Sequence, residues 1–144
     1  FYLTNWLLKK EKKNKFNDVK TFYKFFKDVL KHKNDLKRLL LDLKNNNKKV
    51  FGYGASTKGN VILQFCGINN KLLPFIADVS SFKHNKYTPG TKIKIISEKK
   101  AHSMKPDYYL VLPWHFKDFI IKKESNFLKN GGKFIFPLPE INIV

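Results

Sequence analysis

The chain has 144 residues and a formal net charge of +18, with one cysteine and four histidines. This length allows one domain with its own core, and no apolar run approaches the roughly 18 residues that a membrane span requires. The single cysteine, Cys66, excludes an internal disulfide and a cysteine-cluster zinc site within the chain, so we expect a buried thiol and a cytoplasmic location. Because the first residue is Phe1 rather than Met, we expect a piece of a longer protein.

The positive charge does not by itself indicate a nucleic-acid partner. Arg38 is the only arginine among the 29 basic residues, whereas base-edge recognition and bidentate phosphate binding depend on the planar guanidinium group. The chain is also rich in Asn, Ile and Phe, which AT-rich codons favour together with Lys. We therefore interpret most lysines as a solvated surface and expect neither a nucleic-acid nor a membrane partner.

The first 44 residues divide into a connector and a predicted helix. Residues 1–15 are expected to be a connector or the end of a preceding domain. Over residues 16–44, apolar side chains recur at steps of three and four, which indicates an amphipathic helix. We expect this helix to cover one face of a sheet, and a helix that binds a partner or a membrane surface is the alternative.

From residue 48 onward, short apolar strands alternate with helices. The predicted strands lie at 48–54, 72–78, 92–96, 106–113 and 133–139, with 141–144 as a candidate sixth, and the predicted helices at 57–66, 97–104 and 114–130. This alternation predicts an α/β fold, a three-layer Rossmann-like and mostly parallel sheet with the N-terminal amphipathic helix packed on it, in one domain at 16–144. In the helix at 57–66, Val61, Ile62 and Phe65 are predicted to face the core.

The stretch KVFGYGASTKGN combines the end of the first strand, two glycines and the start of a helix. Gly52 and Gly54 permit a sharp turn, and we expect the amides of that turn and the N-terminus of the helix to face an anion. Lys58 would add a full positive charge for the same anion. A tight turn that binds nothing is the alternative. The residues that can cap the helix or donate hydroxyl groups are Ser56 and Thr57.

This turn matches a dinucleotide-binding fingerprint only in part. The third glycine position is Thr57, and the next glycine follows at Gly59. An acidic residue, Asp78, ends the second strand at a separation suited to a ribose contact. The residues leave open a nicotinamide- or coenzyme A-binding module, and also a non-catalytic scaffold domain whose basic helix docks an acidic partner.

Four separated blocks carry a more specific signal. They read GYGASTKGN, FIADVSSFKHNKYTPGTKIKI, PDYYLVLPWHF and GGKFIFPLPEI, in this order over about residues 48–144. Together they resemble the C-terminal domain of sugar C-methyltransferases, which methylate a ring carbon of a nucleotide-linked deoxy-keto sugar.

The resemblance implies an enzyme of three parts: a small cysteine-rich zinc-binding domain, a central domain that binds S-adenosylmethionine, and a Rossmann-like C-terminal domain. In such an enzyme the nucleotide-sugar lies between the central and C-terminal domains, and the catalytic base belongs to the central domain. We therefore expect no catalytic residue and no metal site in this chain, with S-adenosylmethionine and zinc bound by upstream domains of the same protein. This chain alone is expected to hold and orient the substrate and to be inactive.

The resemblance and the residue pattern together give a set of substrate-binding candidates. These are Gly52, Tyr53, Gly54, Ala55, Ser56, Thr57, Lys58, Asp78, Lys83, Tyr87, Trp114 and His115. Lys58 is predicted to contact the diphosphate. Trp114 is predicted either to stack on the base or to pack under the loop after the fourth strand. His115, where the family commonly has Asn, is expected to form a hydrogen bond or cap a helix, and His84 and Asn85 also depart from the family's usual residues.

Overall fold

The computed structural model describes residues 2–16 and 18–144. The chain divides into two compact units, residues 1–33 and residues 34–144. The first residue of the predicted connector and the second residue of the helix predicted at 16–44 lie outside the described residues. The domain boundary predicted at residue 16 stays a prediction.

The first unit is helical. Helix α1 (Tyr2–Lys13) occupies most of the segment predicted as a connector. Helix α2 (Val19–Asn45) begins in this unit, within three residues of its predicted start. Several of its apolar side chains in this unit are more than half exposed, among them Phe22, Tyr23 and Phe26, whereas Val29 and Leu30 are partly buried.

The second unit contains a six-stranded sheet. Its strands are β1 (Val50–Tyr53), β2 (Phe75–Asp78), β3 (Lys94–Ser97), β4 (Tyr108–Val111), β5 (Lys133–Phe136) and β6 (Asn142–Ile143). The strand order is β3-β2-β1-β4-β5-β6, with every pair parallel except the antiparallel pair of β5 and β6. The first strand, β1, lies near the centre of the sheet. The next two strands, β2 and β3, are added on one side of β1, and the later strands are added on its other side. This order places a topological switch point between β1 and β4. The predicted α/β fold is confirmed.

Four helices connect these strands or cover their faces. They are α3 (Thr57–Cys66), α4 (Glu98–Ser103), α5 (Lys117–Lys123) and α6 (Ser125–Lys129). Ser56 caps α3 by accepting a hydrogen bond from the Gly59 amide at 3.0 Å, and Ser97 caps α4 by accepting from the Lys100 amide at 3.2 Å. Gly67 ends α3 in the left-handed conformation that glycine adopts at low cost.

The two faces of the sheet are covered by two chemically different cores, because successive side chains of a strand point to opposite faces. The aliphatic core consists of Leu36, Leu40, Val50, Leu63, Cys66, Ile68, Leu73, Ile76, Ile93, Leu110, Leu112 and Ile135. The aromatic core consists of Phe51, Tyr53, Ala77, Ile96, Ala101, Tyr109, Val111, Ile120, Phe134 and Phe136. The end of α2 packs on the aliphatic core through Leu36 and Leu40, as the amphipathic pattern predicted, and the expected burial of Cys66 is confirmed.

Two details differ from the prediction. In α3 the inward face is formed by Leu63 and Cys66, whereas Val61 is 64% and Phe65 43% exposed. The single helix predicted at 114–130 is instead a short 3₁₀ turn followed by α5 and α6, which are interrupted at Glu124. None of the described helices combines the length and the apolar character that crossing a bilayer requires.

Candidate functional site

A groove of about 400 Å³ lies where β1, β2 and β4 end. Small-molecule sites in open α/β sheets occupy this position, and their volumes run from roughly 300 Å³ upward. Six of the predicted substrate-binding residues line it. They are Tyr53, Gly54, Ala55, Ser56, Asp78 and Lys83.

The other side of the groove is formed by residues that the sequence did not single out. Glu98 begins α4, and Lys123 ends α5. Phe116 and Phe119 are 61% and 67% exposed, and Val79 is 71% exposed. The groove therefore has charged groups and a set of accessible apolar side chains, which is the usual chemistry of a small-molecule site.

The glycine turn does not present its amides to this groove as predicted. The Gly54 amide donates to Ala77 O at 2.7 Å, Ala55 to Asp78 Oδ2 at 2.7 Å, Ser56 to Gly54 O at 2.9 Å, and Gly59 to Ser56 Oγ at 3.0 Å. A backbone amide has one hydrogen to donate, so a ligand would have to displace these partners. The prediction that the turn offers its amides to an anion is therefore wrong for these four residues.

The structure explains why Gly54 and Gly59 are glycines without invoking a ligand. Gly54 has φ +76°, a conformation that residues with a Cβ rarely adopt. A Cβ at Gly59 would lie 2.4 Å from Leu112 Cβ, so this glycine lets α3 approach the end of β4 closely. Gly59 thus serves the helix–strand packing that the third glycine serves in dinucleotide-binding turns, two positions later than the fingerprint places it.

Asp78 organises the loops around the groove. Its carboxylate is 5% exposed and accepts hydrogen bonds from the amides of Ala55 and Ser80 at 2.7 and 2.8 Å. Lys83 Nζ donates to Asp78 Oδ2 at 3.1 Å and to Ala55 O at 2.9 Å. The lysine side chain is 45% exposed and has three donors, of which these contacts use two. Lys83 can therefore still donate to a ligand in the groove.

Six predicted site residues are not among the described residues that line the groove. Gly52 lies inside β1, Thr57 is exposed in the first turn of α3, and Tyr87 forms an isolated bridge with Lys94. The other three lie together. Lys58 Nζ is 2.9 Å from His115 Nε2, and the His115 ring stacks on Trp114 with the centroids 4.5 Å apart. The Trp114 side chain packs against the aromatic core, and its stacking on a base stays a prediction.

A buried polar network supports the groove from the side of the aromatic core. The Tyr53 hydroxyl donates to Glu124 Oε1 at 2.8 Å and accepts from Lys123 Nζ at 2.9 Å. Lys123 also donates to both carboxylate oxygens of Glu98, at 2.6 and 2.8 Å. His102 Nε2 lies 3.2 Å from Glu124 Oε2.

The network fixes the protonation state of Tyr53. Burial raises the pKa of the Tyr53 hydroxyl well above its ordinary value, and its hydrogen bond to Glu124 and the negative charges of Glu124 and Glu98 raise it further. Tyr53 is therefore a neutral hydrogen-bond donor whose proton is directed at Glu124, and it does not act as a base.

The sequence contained a signal for two of the missed residues, Glu98 and Phe116, of which Phe116 ends the block PDYYLVLPWHF. Glu98 lies two residues after the third predicted strand, 92–96, and the carboxyl ends of parallel strands are where ligands bind. Lys123 and Glu124 fall within a run predicted as one continuous helix, where nothing in the periodicity distinguishes a buried charge from a solvated one.

Comparison with known proteins identifies similar chains. The family described as "C-methyltransferase C-terminal domain" matches residues 3–139. The chain is also 39% identical over 109 residues to C-methyltransferase NovU from Streptomyces niveus, an alignment that covers 76% of this chain and 26% of NovU. The chain thus spans about a quarter of the length of that relative.

Proposed function

This chain belongs to the C-methyltransferase C-terminal domain family, and we propose that it binds and orients a nucleotide-linked keto-sugar for methylation at a ring carbon. The methyl group would come from S-adenosylmethionine held by an upstream domain of the same protein. That domain would also supply the base, and a separate domain further upstream would hold the zinc. This chain's partners would then be its substrate and that upstream domain. The proposed location is the cytoplasm.

The observation that carries the proposal is the groove at the carboxyl ends of β1, β2 and β4. Its residues include the conformationally special Gly54 and the half-exposed Lys83, both of which belong to the sequence blocks that resemble the family. Lys83 has a donor to spare for a diphosphate, and charge-assisted hydrogen bonds of this kind are among the stronger polar contacts. We therefore assign the diphosphate to Lys83 rather than to Lys58, whose ammonium group contacts His115 outside the groove-lining set.

The apolar side of the groove suits the nucleobase. Phe116 and Phe119 expose most of their side chains there, and stacking of a base on an aromatic ring contributes about 1–3 kcal/mol. Binding at these two points would fix the position of the sugar relative to groups outside this chain. Such positioning contributes to catalysis by converting an encounter of separate molecules into a reaction within one complex.

The described residues of this chain do not fit the zinc role. Among them, no three His, Cys, Asp or Glu side chains come together as a metal site. The groove residues that carry charge are Asp78, Lys83, Glu98 and Lys123, and each is held by a partner within the protein. We accordingly assign to this chain the binding of the substrate and no proton transfer.

Calorimetric titration of the 144-residue chain with a dTDP-linked hexose tests the proposal. We expect binding of the nucleotide-sugar, with weaker or no binding of NADH and of S-adenosylmethionine. In Phe119→Ala we expect about fivefold or greater loss of affinity, because the stacking surface is removed. Phe25→Ala is the matched control, since Phe25 is also 67% exposed but lies on α2.

Two results would contradict the proposal. Preferential binding of NADH in the groove would indicate a nicotinamide-binding module. Loss of affinity of the same size in the Phe119 and Phe25 variants would show that the nucleotide-sugar does not use the apolar side of the groove.

A further inference from the structure

We propose that Glu98 accepts a hydrogen bond from a ribose hydroxyl of the bound nucleotide, the role that the sequence pattern assigns to Asp78. This inference rests on the proposed function, because it specifies how the same groove recognises its ligand. It concerns a residue that neither the glycine turn nor the family blocks contain.

Asp78 is already used by the protein. Its Oδ2 accepts from the Ala55 amide and from Lys83, and its Oδ1 accepts from the Ser80 amide. The side chain is only 5% exposed. A ribose hydroxyl that bonded to Asp78 would compete with contacts that hold both loops at this end of the sheet, and a buried amide left without an acceptor costs about 1–3 kcal/mol.

Glu98 lies one strand further along the same edge. In the pairing of β2 with β3, Asp78 is opposite Ser97, and Glu98 is the next residue. Glu98 lines the groove, and its side chain is 20% exposed, four times the fraction of Asp78. Its position therefore makes it the accessible carboxylate beside the second and third strands.

The contacts of Glu98 leave it able to accept a further bond. Lys123 donates to both of its oxygens, at 2.6 and 2.8 Å. A carboxylate has about four acceptor sites, so positions remain on the side facing the groove. The three donors of Lys123 are matched by the two oxygens of Glu98 and the Tyr53 hydroxyl. Lys123 thus holds the carboxylate in place and has no donor left for the ligand's phosphates.

This arrangement also resolves an electrostatic problem. A free carboxylate would repel the diphosphate of a nucleotide-sugar bound in the same groove. Paired with Lys123, Glu98 forms a unit without net charge that keeps its acceptor oxygens. The pair can therefore recognise a hydroxyl group close to a dianionic ligand.

Calorimetric titration of the 144-residue chain with UDP, 2′-deoxy-UDP and 3′-deoxy-UDP tests the inference. We expect Glu98→Gln to weaken UDP binding about tenfold, the scale of a hydrogen bond to a charged group. Removing the hydroxyl that Glu98 binds should weaken binding to the unaltered chain by a similar factor. The variant and that deoxy ligand together should lose little more than either alone, because both changes remove the same bond.

Two controls separate the hydroxyl contact from charge and folding. Glu140→Gln makes the same change of charge at an exposed position outside the groove-lining set and should leave UDP affinity within twofold. Inorganic pyrophosphate, which has no ribose, should bind Glu98→Gln at least as well as the unaltered chain. If Glu98→Gln does not fold, Glu98→Asp keeps the charge, shortens the side chain and is expected to give the same pattern.

The outcomes distinguish this inference from the function on which it depends. If UDP binds but Glu98→Gln weakens UDP and both deoxy ligands equally, Glu98 does not contact the ribose, and the groove remains the nucleotide site. If no nucleotide binds the chain at all, the proposed function fails and this inference fails with it.

Discussion

The two faces of the central sheet differ in what they contribute. The aliphatic core consists of Leu, Ile and Val side chains with Cys66, and it stabilises the fold by excluding apolar surface from water. The aromatic core contains the hydroxyls of Tyr53 and Tyr109, and buried Glu124 lies against it. One face therefore supplies packing, whereas the other also supports one side of the groove through hydrogen bonds.

This difference explains the break between α5 and α6. Glu124 is 7% exposed and bonds to Tyr53 across 71 residues of sequence. Its backbone at φ −100° and ψ 26° departs from the helix on both sides. A buried carboxylate must be paired, and the interrupted helix accompanies the placement of Glu124 against the Tyr53 hydroxyl. The comparison predicts that substitutions on the two faces will fail in different ways.

The largest expected effect is on the aliphatic face. Leu63 is fully buried in α3, and Leu63→Ala should lower the free energy of unfolding by about 2–5 kcal/mol through lost burial and the cavity left behind. Val61→Ala, two residues away on the exposed side of the same helix, should change it by no more than about 0.5 kcal/mol. Urea unfolding followed by circular dichroism measures both. Equal losses would mean that α3 is rotated relative to the face described here.

On the aromatic face the expected effect is smaller and depends on hydrogen bonding. Tyr53→Phe removes the partner of Glu124 Oε1 and one acceptor of Lys123, so we expect a loss of about 1–3 kcal/mol in unfolding free energy. The Tyr109 hydroxyl is buried and has no hydrogen-bond partner among the described residues. Tyr109→Phe is therefore the matched control and should not lower the free energy of unfolding near pH 7, because it removes a buried hydroxyl that makes no hydrogen bond. A larger loss in Tyr109→Phe than in Tyr53→Phe would contradict the network.

The sequence predicted the sheet better than it predicted the site. The alternation of strands and helices is a property of local periodicity and turn residues, and it placed all five main strands. In α3 the prediction is confirmed for Ile62, which packs against the aliphatic core, and wrong for Val61 and Phe65, which are exposed. The close approach of Gly59 to Leu112 joins residues distant in sequence, and periodicity does not report it.

The predicted glycine turn borders the groove, but its amides are paired within the protein, contrary to the prediction. Glycine composition indicated a special turn, and the turn does border the groove. Whether its amides are free depends on acceptors that are distant in sequence, such as Asp78, which is 23 residues from Ala55. The ion pair of Glu98 with Lys123 likewise joins residues 25 positions apart, and only the assembled fold brings them together.

A third prediction compares the ligand affinities of two variants, one substituted in the groove and one substituted on α3. Lys83→Gln should weaken binding of a dTDP-linked hexose about tenfold, because it removes a charged donor in the groove. Lys58→Gln makes the same change on the helix that packs on the aliphatic core, and affinity should stay within twofold. Calorimetric titration of both variants measures the difference. The reverse order would return the diphosphate contact to Lys58, as the sequence alone predicted.

The smallest expected effect is a gain of stability at alkaline pH in Tyr109→Phe. Burial raises the pKa of the Tyr109 hydroxyl in the folded protein, and the charges of Glu124 and Glu98 add to the shift. In the unfolded chain this hydroxyl titrates at about pH 10. Above that pH the unfolded chain loses a proton that the folded protein keeps, so the contribution of Tyr109 to stability is complete below pH 10 and declines as the pH rises.

Phenylalanine has no proton to lose, so the variant should not show this part of the decline. Relative to the unaltered chain, Tyr109→Phe should gain about 1 kcal/mol in unfolding free energy between pH 9 and pH 11. The other ionisable groups are common to both proteins, so their contributions cancel in the difference. Tyr2→Phe, at a 96% exposed tyrosine, controls for the substitution itself and should show no such gain. Parallel stability curves for Tyr109→Phe and the unaltered chain over this range would mean that the Tyr109 hydroxyl reaches water in the folded protein, and the aromatic face would then be less closed than the aliphatic one.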